Sequence, residues 1–373
     1  MKNLLIPILF LSISSCADIK KDKIESYEAG FIIIQTIDSS RIYKPDTDTT
    51  DYLHYRPLDI DIWYPSRVSD TDSVLLFGDI LGLLEKRANY YTASDSWNDI
   101  TPLIAQSFCE GFKCSDSTRL LNFKTRSYIN APAISKEFPL VIYLCSFNSM
   151  SFENFILFEE LARKGFVVAS ISSIGRYPGN MTMKKEDLFE QVNDAIASLE
   201  AIKQSSNINF PEIGIVGCSW GGLSGAILAD KFPDVSCLIS LDGSEFLEYG
   251  NLKEEDEDLN DIRNSSEFQN MNLSMPYLRL ESDPVNVTWN VDSVYSFSEK
   301  LAGERFIFKV DSAKHEDFSC LSTVVKESGN CGINKYFSTI SKITVSFLQE
   351  HLKDEHTFSQ TIESEIDRTI SQK

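Results

Sequence analysis

Residues Ile213-Gly214-Ile215-Val216-Gly217-Cys218-Ser219-Trp220-Gly221-Gly222 decide the fold of this chain. The apolar, β-branched start reads as a buried strand, and residues 223–231 continue as a helix. Between them lies a Gly-x-Ser-x-Gly turn. Small residues at Gly217 and Gly221 let strand and helix approach closely, and they hold Ser219 in a strained conformation with its hydroxyl above the strand end. The apolar strand before the turn and the helix after it separate this case from a chance occurrence of three small residues.

Outward from that turn the pattern is regular. Strands are predicted at residues 139–144, 166–171, 236–241, 276–281 and 305–310. Helices are predicted at 152–164, 185–204, 291–302 and 334–353. Leu188, Val192, Ala195, Ile196 and Leu199 line one face of the second helix. Alternating strands and helices give an α/β fold: a mostly parallel central sheet with helices on both faces and ligands at the strand carboxyl ends. Earlier strands are predicted at 31–34 and 58–64. Residues 66–137 read as an insertion over the main body, with a helix at 80–86, and residues 243–274 as a second, cap-like interruption. The acidic run Lys253-Glu254-Glu255-Asp256-Glu257-Asp258 within the latter is a solvated face, with a lid over the site as the sharper alternative. The main domain is expected at 29–353, followed by a polar tail at 354–373.

With 373 residues, 24 Phe and 14 Tyr, the chain can bury a large core. A net charge of −20 with no basic cluster excludes an anionic nucleic acid as partner. Met1-Lys2 and the apolar residues 4–13 form a short charged region and an apolar region too short to span a bilayer. They end at Ile13-Ser14-Ser15-Cys16, which resembles the lipobox of bacterial lipoproteins. That resemblance implies removal of residues 1–15, acylation of Cys16 and a polar tether over 16–28. The protein would then be exported and anchored to a bacterial membrane. A plain secretory signal is the alternative. Export permits disulfides. Cys109 and Cys114 flank a short loop and Cys320 and Cys331 a longer one, so both pairs are candidate bridges, although neither spacing is diagnostic. Cys145, Cys218 and Cys237 lie in apolar runs and read as buried free thiols. No Cys/His grouping has zinc-like spacing, and no metal or organic cofactor is expected.

A serine hydroxyl needs a histidine to take its proton and a carboxylate to orient that histidine. On this architecture the chain order is serine, acid, histidine. Of four histidines, His54 precedes the serine, and His351 and His356 lie on or beyond the closing helix. His315 alone falls in a loop directly after a late strand. The acid is either Asp242 or Asp283, each at a strand carboxyl end. Two backbone donors are needed for a developing oxyanion. One is expected from Trp220, the other from the loop after residue 144, between Cys145 and Asn148.

The chain also resembles the platelet-activating factor acetylhydrolases and the related bacterial dienelactone-hydrolase-like esterases of the α/β-hydrolase fold. The matching residues are Arg56-Pro57-Leu58, Trp63-Tyr64-Pro65, Phe138-Pro139-Leu140-Val141-Ile142, Gly165-Phe166-Val167-Val168-Ala169, the serine turn, Leu241-Asp242 and Ser312-Ala313-Lys314-His315 with Phe318. They run through residues 56–350. The resemblance implies a carboxylic-ester hydrolase with short acyl groups, Asp242 rather than Asp283 as the acid, and Phe147 as the second oxyanion donor. It departs at Cys145-Ser146, where the family has His-Gly. Two other readings stand beside it: a glycan deacetylase or feruloyl-type esterase, and a degenerate hydrolase that only binds a ligand.

Overall fold

The computed structural model describes residues 26–372 except 113–115, 207–209, 247–252, 284–296 and 328–333. Cys16 and nearly all of the signal and tether segments expected around it lie outside these residues, as do Cys114, Cys331 and the first half of the helix predicted at 291–302, whose described half holds only a 3-10 turn at Phe297–Lys300.

In chain order the strands are β1 (Glu28–Ile42), β2 (Tyr55–Ser66), β3 (Val74–Leu76), β4 (Lys124–Ile129), β5 (Leu140–Leu144), β6 (Val167–Ile171), β7 (Ile213–Cys218), β8 (Val235–Leu241), β9 (Tyr277–Glu281), β10 (Arg305–Val310) and β11 (Ile370–Gln372). The helices are α1 (Phe77–Thr92), α2 (Thr101–Phe112), α3 (Ser117–Leu121), α4 (Phe155–Arg163), α5 (Lys185–Ser206), α6 (Trp220–Lys231), α7 (Lys253–Arg263), α8 (Ser266–Gln269), α9 (Cys320–Glu327), α10 (Lys335–Lys353) and α11 (Phe358–Glu365). Among the described residues one eleven-stranded sheet runs in the order β11-β10-β9-β8-β7-β5-β6-β2-β1-β4-β3. Its centre, from β6 through β5, β7, β8 and β9 to β10, is parallel. The β2 strand joins β6 antiparallel, and β1 joins β2 antiparallel.

Every residue of β5, β6 and β7 is buried, as a strand covered by helices on both faces requires. Two apolar layers result. One packs α4 and α10 against Val141, Tyr143, Val168, Val216 and Ile239. The other packs α5 and α6 against Ile142, Leu144, Ala169, Ile215 and Leu238. Each such side chain contributes about 1.5–3 kcal/mol on burial.

The register fixes which end of the sheet each element occupies. Phe31 pairs with Trp63, Trp63 with Val168, Val168 with Val141, and Val141 with Gly214. So β1 begins at the end where the parallel strands start, and Ser219 stands where they finish.

Two expectations need correction. Residues 66–137 do not merely lie over the main body, because β4 pairs with β1 and β3 with β4, extending the sheet. Residues 354–373 are not a bare polar tail. Phe358 of α11 is buried against Phe306 and Phe347, and β11 pairs with β10. A polar surface hid one aromatic anchor and one buried isoleucine, Ile370.

Candidate active site

The serine turn has the strain its sequence requires. Ser219 adopts φ 53° and ψ −118°, a conformation L-residues rarely hold. It is tied down by its own backbone: its N–H donates to Leu241 O at 2.9 Å, and its carbonyl accepts from Gly222 at 2.9 Å and from Ser244 at 2.9 Å. The glycines are forced by contact. A Cβ on Gly217 would lie 2.0 Å from Gly221 O, and one on Gly221 would lie 2.0 Å from Leu144 O. The neighbouring strand and helix occupy the space a side chain would need.

Asp242 leaves β8 with φ 47°. Its N–H donates to Leu280 O at 2.7 Å, and its Oδ1 accepts from Ser282 N at 2.8 Å. Its Oδ2 lies 2.6 Å from His315 Nδ1. A carboxylate can only accept, so Nδ1 carries the proton and Nε2 presents its lone pair. That Nε2 lies 3.1 Å from Ser219 Oγ. The three side chains predicted on β7, β8 and the loop after β10 thus meet at one end of the sheet, in hydrogen-bonding order.

The electrostatics match the geometry. Burial pushes the Asp242 carboxyl up. The His315 hydrogen bond and charge, the Arg279 charge and the Ser282 amide outweigh it and hold it below its ordinary range. The hydrogen bond to Asp242 raises the His315 imidazole above its ordinary value, against an opposing effect of burial. The His315 side chain is 58% exposed, so its outer edge faces the site mouth.

Asp283, the other carboxylate considered from sequence, does not reach the imidazole. Its Oδ2 accepts from Ser312 N at 3.3 Å, its own N–H donates to Ala313 O at 2.8 Å, and Lys309 lies 3.5 Å from Oδ1. It braces the loop that carries His315.

Trp220 opens α6, where backbone N–H groups project from a helix N-terminus. Phe147 sits in the loop after β5, and its ring meets that of Trp220 edge-on at 5.8 Å between centroids. Residues 146–149 form a turn closed by Ser149 N donating to Ser146 O at 3.1 Å, with Asn148 at φ 49°. The left-handed residue is therefore Asn148, and Ser146 needs no glycine.

Several site-building residues had no signal in the sequence. Arg279 is buried beneath Asp242 and donates to Ser240 Oγ, Gly243 O, Glu245 and Glu281 at 2.9–3.2 Å. Gln191 on α5 donates to Cys145 O at 2.8 Å and accepts from Ser224 Oγ at 2.8 Å. Arg56, by contrast, belongs to the Arg-Pro-Leu stretch that carries the resemblance. It binds Asp194 and the carbonyls of Gly175 and Arg176, fixing the loop after β6.

Cys145, Cys218 and Cys237 are free and buried, as their apolar settings predict. Cys320 is also free and buried, its Sγ donating to Glu153 O at 3.1 Å, so the expected Cys320–Cys331 bridge does not form. The segment after β10 turns inward at Phe318 and takes Cys320 into the core. Cys109 is disulfide-bonded, and its partner falls outside the described residues. Among the described residues no group of side chains could hold a metal ion, and no helix is long and apolar enough to cross a membrane.

Residues 192–315, which include Ser219, Asp242 and His315, match the family described as BAAT / acyl-CoA thioester hydrolase C terminal. A comparison with curated proteins finds no match. Among solved structures, a ferulic acid esterase from Streptomyces cinnamoneus is similar with a TM-score of 0.57 and 16% identity, covering 88% of this chain and 91% of that one. The family match covers about a third of the chain, the structural similarity bears on the fold, and neither singles out the acetylhydrolases. The mostly parallel sheet, the strained serine turn and this structural similarity together give the chain the α/β-hydrolase fold.

Proposed function

We propose that the protein hydrolyses carboxylic esters through an acyl-enzyme. The observation that carries this reading is the relay Ser219 Oγ, His315 Nε2, His315 Nδ1, Asp242 Oδ2, with steps of 3.1 and 2.6 Å. Ser219 Oγ attacks the acyl carbon while its proton passes to Nε2. Asp242 holds the tautomer and stabilises the imidazolium. The amides of Trp220 and Phe147 take the charge on the carbonyl oxygen. The imidazolium gives its proton to the departing alkoxide. Water, deprotonated by the same Nε2, then releases the acid and restores Ser219.

The test pairs a fluorophosphonate probe with a short-chain nitrophenyl ester. The wild type should label and turn over. Ser219→Ala should do neither, losing about 10⁴–10⁶ in rate. Activity surviving in that variant rejects the assignment. A degenerate hydrolase predicts ligand binding without labelling.

Two substrate classes follow. The sequence resemblance favours short acyl esters, including phospholipids of the platelet-activating-factor kind. The similarity to a ferulic acid esterase over 88% of the chain supports feruloyl esters as the second class, beside the acetylated glycans that the sequence reading leaves open. A panel of short-chain phospholipids, acetylated sugars and feruloylated sugars separates them by kcat/KM. The lipobox-like Ile13-Ser14-Ser15-Cys16 supports export and anchoring through an acylated Cys16. Mass spectrometry of the membrane fraction tests this, and an unmodified Cys16 rejects it.

A further inference from the structure

Glu153 is 2% exposed, and its charge is one of the effects that raise the His315 imidazole. Among the described residues it has no ion-pair partner. Its Oε1 instead accepts from Tyr143 Oη at 2.8 Å, from the Ser146 backbone N–H at 3.0 Å and from Ser146 Oγ at 3.3 Å. Asn154 fixes Tyr143 from the other side, donating to its hydroxyl at 2.6 Å and to Phe318 O at 3.0 Å. A buried acid is costly unless its hydrogen bonds are satisfied, so this one is retained against a penalty an apolar residue would avoid. Burial pushes its carboxyl up, opposed by the donors from Ser149, Tyr143 and Ser146.

The position of these donors matters. Ser146 is the residue before Phe147, whose amide is one of the two oxyanion donors in the reading above. The peptide nitrogen of residue 146 is pinned by Glu153, while the carbonyl of residue 145 is pinned by Gln191. These two groups belong to the same peptide unit, so it is held at both edges. The next peptide, which carries the Phe147 N–H, is aimed by the turn that follows. Glutamate therefore does here by an external clamp what local backbone freedom does when a glycine starts such a loop.

We propose that Glu153 is a positioning residue for ester hydrolysis, its Oε1 setting the orientation of the 145–147 backbone and hence of the Phe147 N–H toward the oxyanion. This rests on the ester-hydrolase reading. The acceptor atom, and not the negative charge, is the working part. Misplacing a catalytic group by about 1 Å costs up to about 100-fold in rate.

The experiment compares Glu153→Gln, Glu153→Leu and Glu153→Asp with the wild type, using a nitrophenyl ester and an arylboronic acid that forms a tetrahedral adduct on Ser219. Glutamine keeps an oxygen at the same reach and should keep kcat within about fivefold. Leucine fills the volume without an acceptor, and aspartate withdraws the acceptor by one methylene. Both should lower kcat by about 10- to 100-fold with KM within about twofold. Boronate affinity should fall by the same factor as kcat/KM. If Glu153→Leu does not fold, Glu153→Asp carries the test. Unchanged kcat in Glu153→Asp, or a loss in Glu153→Gln equal to that in Glu153→Asp, overturns the proposal. A wild type that neither labels nor turns over rejects the ester-hydrolase reading itself.

Discussion

The Arg279 guanidinium donates through Nη1 to the carbonyl oxygen of Gly243 at 2.9 Å, one residue beyond the acid that orients the histidine. The same group meets Glu245 at 3.0 Å and Glu281 at 2.9 Å, all three side chains being buried. The Arg279 cation beneath the site thus holds the backbone of the acid loop and also lowers the Asp242 carboxyl. Arg279→Met should leave two uncompensated buried carboxylates and destabilise by about 3–5 kcal/mol. Thermal or urea unfolding measures this, and the residual soluble protein should show reduced kcat.

Asp242 and Asp283 are separable by one pair of variants. Asp242→Asn should lower kcat by about 10⁴, because the amide no longer enforces the Nδ1–H tautomer of His315. Asp283→Asn should cost only a few-fold, since Asp283 touches the backbone of the histidine loop and not the imidazole. Steady-state ester hydrolysis distinguishes them directly.

The pH dependence has a definite sign. The base must be neutral, so kcat/KM should fall as pH drops through the His315 pKa. That pKa is raised by the Asp242 hydrogen bond, which puts the acid limb above the ordinary imidazole value of about 6.5. Asp242→Asn removes both the hydrogen bond to a carboxylate and its charge, leaving burial and the Arg279 charge, which lower the pKa, against the weaker raising effect of the Glu153 charge. The limb of the residual activity should therefore move to lower pH. A pH–rate series on both proteins reads the shift.

Two glycines on the same helix should respond differently to alanine. At Gly221 the added Cβ meets the Leu144 carbonyl at 2.0 Å, a backbone clash with nowhere to go. Gly221→Ala should cost more than about 3 kcal/mol and abolish probe labelling. At Gly225 the nearest heavy atom is an Ile215 methyl at 3.2 Å. There the gain in helix propensity, about 1 kcal/mol, roughly offsets the tighter packing. Gly225→Ala should stay within about 1 kcal/mol of the wild type with its activity intact.

Ser219 and His315 were legible because each is marked locally, one by a turn that only small flanking residues allow, the other by its place after a late strand. The choice between Asp242 and Asp283 was not legible from residues alone. Both end a strand, and only the three-dimensional reach to the imidazole separates them. Arg279, Gln191 and Glu153 left no trace, because their partners lie 34–46 residues away in Glu245 and Cys145, or in a loop whose geometry depends on the contact itself. The α11–β11 segment was missed for a different reason. Two buried apolar residues, Phe358 and Ile370, dock it among otherwise polar neighbours, too few to produce a periodic signal.

The N-terminal strand starts at one pole of the sheet and the reactive serine sits at the other. Phe31 is level with Gly214, so Glu28 and Ser219 are separated by about eight residue steps along the strands, on the order of 25 Å. An acylated Cys16 would be followed by about ten residues before β1, a leash of at most about 35 Å. Such a leash would be longer than the distance between the two poles, so an acylated Cys16 would hold the protein near a bilayer without fixing which way the serine end faces. Esters in water and lipid esters in the supporting leaflet would both stay within its reach, and the choice between them would fall to the groups around Ser219.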